Sequence, residues 1–103
     1  MFSSFQNENK EKFKFVVDST YSLSSGALII VGKVLSGEIN LGDEIGILKN
    51  GEYIKAKIHL FEIFGETKNF KIIKKGNDAG IHVFGIEKSE IRRLDTLIKY
   101  SEK

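Results

Sequence analysis

Apolar residues in this chain recur mostly at every second position, the period of a strand with one face turned inward. Phe13, Phe15 and Val17 alternate and predict a first strand with its aromatic side in the core. Residues 27–35, ALIIVGKVL, are apolar on both faces and predict a long strand through the centre of the domain. Gly32 interrupts that run, as expected where a strand bends or another backbone comes close. Ser36-Gly37 predicts a turn, and Glu38 to Leu41 a short return whose Ile39 and Leu41 plug the end of the core. Gly42-Asp43 turns the chain again before Ile45 and Ile47.

Asn50-Gly51 is the strongest hairpin signal, because both residues tolerate the positive φ of a type I′ turn. Beyond it Ile54, Ala56, Ile58 and Leu60 alternate with Lys55, Lys57 and His59. The apolar phase slips by one at Phe61 and Ile63, which predicts a bulge. A polar, Gly-punctuated stretch over 65–79 holds one apolar triplet, Phe70, Ile72 and Ile73. Gly80 to Ile86 predicts a strand, 87–93 a single helical turn, and Thr96 to Tyr100 a last strand. Six to seven strands without a helical stripe predict an all-β fold, a small closed antiparallel barrel. Closure also removes exposed edges, which a chain this short could not otherwise cover.

One hundred and three residues make one domain, large enough to bury a core without staples. No Cys is present, so neither a disulfide nor a thiolate site exists. Residues 1–12 lack the apolar run of a signal peptide, and no stretch is long enough for a membrane helix. A cytoplasmic protein is the expectation. The net charge is only +2, unlike a dedicated nucleic-acid binder. The distribution is uneven, because residues 49–75 hold seven lysines against three glutamates. Lys55, Lys57, Lys68, Lys71, Lys74 and Lys75 are therefore the candidate RNA contacts, weighed against solvated strand faces.

A search for catalytic chemistry returns little. Gly26 to Val34 has the wrong spacing for a phosphate loop and places Val34 where a hydroxyl should bind magnesium. His59 and His82 have no Cys or acidic cluster beside them, so no metal site is expected. No serine sits in an activating elbow. No catalytic residue and no cofactor or nucleotide is expected. Phe13, Phe15 and Phe84 read as core, whereas Tyr21, Phe61, Phe64 and Phe70 flank the basic segment and could stack on bases.

The ordered glycine series is more informative than any single motif. Gly32-Lys33-Val34, Gly37, Ile39, Gly42-Asp43-Glu44, Ile45 and Ile47 resemble the signature of the second domain of translational GTPases of the elongation factor Tu type. Phe13 to Leu23 upstream, and Gly76, Ala79-Gly80-Ile81, Gly85-Ile86 and Asp95-Thr96-Leu97 downstream, extend the resemblance over residues 13–100. It implies a small antiparallel barrel without the GTPase motifs. In that family the second domain helps hold the aminoacylated end of transfer RNA. Here the family's arginine aligns with Gly26, its glutamate with His59, its threonine with Val31 and its asparagine with Asp78. The glycine usual before the last strand is Leu94, while Tyr21 keeps an aromatic.

These readings divide the chain into a polar extension (1–12), a barrel (13–100) and a tail (101–103). The expected function is that of a stand-alone, non-catalytic binding module. It docks on a protein partner or on itself as a homodimer. The alternative is an RNA- or ribosome-binding protein using the basic 49–75 region.

Overall fold

Alternation along the strands is converted into an inside and an outside by barrel closure. The computed structural model describes residues 11–66 and 70–103. Its strands are β1 (Lys14–Ser22), β2 (Leu28–Ser36), β3 (Glu38–Asn40), β4 (Glu44–Lys49), β5 (Glu52–Ile63), β6 (Ile72–Lys74), β7 (Asp78–Val83) and β8 (Thr96–Lys99). Six of them close in the order β1–β2–β7–β5–β4–β8, with β8 pairing back onto β1. All pairings are antiparallel. The all-β closed barrel expected from the pattern is thus the observed fold. The strand count rises to eight because the apolar triplet forms β6, which pairs with β3 as a separate ribbon.

Inward positions fill the barrel. Phe13, Phe15, Leu28, Ile30, Ile39, Ile45, Phe61, Ile73, Ile81 and Leu97 are fully buried, and Ile54, Ile63 and Phe70 pack against this core. Burying a side chain of this size contributes about 1.5–3 kcal/mol, which makes the alternation decisive for register. β2 alternates buried and part-exposed residues, so it is a barrel stave and not a strand covered on both faces.

Glycine is required at two close approaches. A Cβ on Gly32 would lie 2.0 Å from the Val16 carbonyl oxygen and 2.8 Å from the Phe15 ring. Gly37 combines φ +68° with backbone atoms of Glu11, Lys12 and Phe13 at 2.7 Å from its absent Cβ. The Asn50-Gly51 hairpin has φ 52° and 84°, the signs a type I′ turn requires. The bulge inferred before Phe61 falls between Ile58 and Leu60 in the pairing of β5 with β7.

Two local expectations differ from the structure. Leu41 is exposed, because β3 ends at Asn40 and Leu41 sits in the turn closed by the Asp43 N–H donating to the Asn40 carbonyl. Phe84 is also exposed, since β7 ends at Val83 and Gly85 turns the chain. Tyr100–Glu102 form a 3-10 turn, and Glu102 Oε1 accepts the Phe13 N–H at 3.0 Å. Lys88–Glu90 form the short helical turn expected over 87–93. Of the polar extension, residues 1–10 lie outside the described residues, while the Lys12 carbonyl accepts the Ser36 hydroxyl.

Candidate docking and charged surfaces

A shallow groove of about 570 Å³ crosses the outer face of β1 and β2, with apolar walls from Val16, Val31, Phe64 and Leu94. The turn carrying Leu94 is clamped onto β1. The Leu94 N–H donates to the Val17 carbonyl at 2.8 Å, and the Val17 N–H donates to the Asp95 carbonyl at 2.8 Å. These two bonds extend the ladder between β1 and β8 beyond the pair Val16–Thr96. Asp95 caps the turn by accepting the Arg92 N–H at 2.7 Å and the Lys49 ammonium at 2.8 Å. Burial pushes the Asp95 carboxyl up, but the Lys49 and Arg92 hydrogen bonds outweigh it and hold it below its ordinary value.

Leu94 itself has φ +74° and is 67% exposed. A branched side chain in left-handed backbone costs about 1–2 kcal/mol. One-third burial of a leucine returns only about 0.5–1 kcal/mol. Glycine or asparagine would suit the turn as well or better, so stability does not account for leucine here.

The six candidate lysines do not form one stripe. Lys55 and Lys57 share the outer face of β5. Lys71 precedes β6, and Lys74 and Lys75 end that strand and begin its turn. Lys68 lies outside the described residues. Lys74 and Lys75 share their hollow with Glu11, Glu38 and Glu102, and Lys75 pairs with Glu11 at 3.6 Å. Lys55 approaches Glu44 at 4.0 Å. Of the aromatic residues flanking the segment, Phe61 is buried, Phe70 half-buried, and Tyr21 and Phe64 exposed.

The structure adds a cluster the sequence pattern did not single out. Tyr53 and Tyr100 stand edge to face, centroids 6.0 Å apart, over Gly46 on the outer face of β4. The Lys55 and Lys103 ammoniums sit 4.7 and 5.0 Å from the Tyr100 centroid. Hairpin register could have placed Tyr53 near Gly46, because Asn50-Gly51 sets Leu48 opposite Tyr53. Tyr100 arrives only through the pairing of β8 with β4.

His59 is exposed and meets the Phe84 ring edge-on at 5.3 Å. His82 is buried, and its Nε2 lies 3.4 Å from Glu62 Oε1 but off hydrogen-bond geometry. Among the described residues no group of three His, Cys, Asp or Glu is placed to hold a metal ion. No described helix is long and apolar enough to cross a membrane, which says nothing about strands.

No protein-family model matches the chain. Over 91 residues it is 22% identical to the selenocysteine-specific elongation factor of Desulfomicrobium baculatum, covering 88% of this chain and 14% of that protein. The apo structure of translation elongation factor SelB from Methanococcus maripaludis superposes with a TM-score of 0.76 at 21% identity, over 88% of this chain and 19% of that one. A bacterial selenocysteine-specific elongation factor gives 0.74 at 18% identity, over 92% and 16%. The fold is that of a barrel domain found within these elongation factors. The chain spans less than a fifth of each of those relatives. The positions aligned with the family's transfer-RNA pocket are split across its surface. Val31 and Asp78 line the groove beside Leu94, whereas His59 faces a second hollow with Leu41, Lys57 and Phe84. Gly26 lies in the exposed loop between β1 and β2.

Proposed function

We propose that the chain is a non-catalytic binding module that docks on a protein partner through the groove around Leu94. The observation that carries this reading is a leucine held at positive φ with two-thirds of its surface in solvent. It adjoins Val16, Val31 and Phe64, so an incoming apolar side chain would bury all four together. The two Val17 backbone hydrogen bonds and the Asp95 cap hold the turn in place, which keeps Leu94 presented before any partner arrives. Kinship with translation factors supports the reading, since a barrel occupying a small part of a long protein must face other surfaces.

The test is site-specific photo-crosslinking. A photoreactive residue at position 94 should give one discrete protein adduct in the source cells, and the same residue at Leu23, in the loop after β1, should give none. Sedimentation velocity separates the two kinds of partner. A concentration-dependent dimer abolished by Leu94→Asn assigns the groove to a second copy, and a monomer with a discrete adduct assigns it to another protein. A monomer with no adduct at 94 refutes the proposal.

A further inference from the structure

The cluster on β4 has the parts of a nucleic-acid platform and lies on a different wall from the Leu94 groove. In the barrel order, β4 is three strands from β2 in either direction. Gly46 is the foundation. Its absent Cβ would lie 3.1 Å from Tyr100 Cδ1 and 3.6 Å from Tyr53 Cδ1, so glycine lets Tyr100 settle a few tenths of an ångström closer to the sheet than a larger residue would. Ile45 and Ile47 on either side face the core and hold β4 in register. Tyr53 and Leu48, cross-strand partners, both remain exposed beside the seated Tyr100. The wall therefore presents the exposed Tyr53 ring beside a half-buried Tyr100.

Its charge is specific. Lys55 and Lys103 both hold their ammoniums over Tyr100, and Lys103 also lies 5.7 Å from the Tyr53 centroid. Lys57 continues the same face of β5. Neither Lys57 nor Lys103 is ion-paired among the described residues, and Glu44 is the one carboxylate within 4.0 Å of Lys55. Two cations held above Tyr100, with Lys57 further along the same face of β5, can engage an anion and a flat π-system together. An acidic peptide would use the cations and leave the rings idle. A nucleotide strand uses both, with phosphates on the ammoniums and a base on the ring.

We propose that this wall binds single-stranded nucleic acid. Tyr53 and Tyr100 stack a base, and Lys55, Lys57 and Lys103 take the flanking phosphates. The inference does not rest on the docking reading, because the two surfaces share no residue.

Tyrosine emission provides a direct readout, since the chain has three Tyr and no Trp. Oligouridylate of about 12 nucleotides, long enough for one small barrel, should quench that emission on titration. Tyr53→Ala and Tyr100→Ala should each weaken binding about 5- to 150-fold. The double Tyr→Phe variant should keep the affinity, measured with labelled RNA, and lose most of the quenching. Lys55→Gln and Lys103→Gln should each lower the salt slope of log Kd by about 0.7, and Lys33→Gln on β2 should not. Oligothymidylate in parallel decides between RNA and DNA. Equal affinity for polyglutamate, or Tyr→Ala variants that fold and bind like wild type, would overturn the proposal. Loss of the Leu94 adduct in the docking test would leave this result untouched.

Discussion

Replacing Gly32 with alanine tests whether close backbone approach, and not turn conformation, explains the glycine in the middle of β2. The new Cβ would stand 2.0 Å from the Val16 carbonyl oxygen, and ordinary contact begins near 3.4 Å. β1 and β2 would therefore have to part by more than an ångström at the pair Val17–Gly32. Two or three ladder hydrogen bonds would stretch, each contributing about 1 kcal/mol, and the Phe15 ring would have to leave its buried site. The expected loss is about 3 kcal/mol or more, a large share of a small domain's total stability. Gly80→Ala is the control. Its nearest atom is the Ile29 Cγ2 at 3.2 Å, a side chain that can yield, so that variant should stay within about 1 kcal/mol of wild type. Urea unfolding followed by circular dichroism would show the Gly32→Ala midpoint lower by about 1–3 M. A Gly32→Ala protein as stable as Gly80→Ala would show that the Val16 carbonyl does not require glycine at position 32.

Asp95→Asn should cost about 1 kcal/mol at neutral pH by removing the charged cap of the Leu94 turn. Because the folded carboxyl titrates below its unfolded value of 3.8, its contribution is present above that pH and is lost as pH falls through the folded value. Stability curves of wild type and variant should therefore converge in acid, and a constant gap down to the lowest accessible pH would contradict the assignment. Phe61→Ala should cost about 3–5 kcal/mol, whereas Phe84→Ala should cost less than about 1.5 kcal/mol because Phe84 is almost half exposed. Equal losses in thermal unfolding would place Phe84 back in the core.

The barrel and most of its staves were legible in the pattern of residues. Period-two alternation assigns Phe13, Phe15, Ile45, Ile58 and Ile81 to one face of their strands, and burial of that face leaves a single workable register. Asn50-Gly51 fixes the β4–β5 hairpin because so few residue pairs accept two positive φ values. The phase slip before Phe61 announces its bulge for the same local reason. Leu94 was legible as a departure from the glycine expected there, although its exposure was not.

Tertiary structure decided what local pattern could not carry. Leu41 continues the apolar rhythm of Ile39 yet lies in the turn after β3, and Phe84 falls out of phase with the inward Ile81 and Val83 just past the end of β7, so both face outward. β6 is three residues long and becomes a strand only through β3. The lysines of the 49–75 segment are neighbours in sequence, but the strand and the ribbon carry them to separate surfaces. Tyr100 is 54 residues from Gly46, and only closure of β8 onto β4 seats it there. Surfaces on a closed barrel are assembled across staves from distant segments, so their composition follows from closure and not from any stretch of the chain.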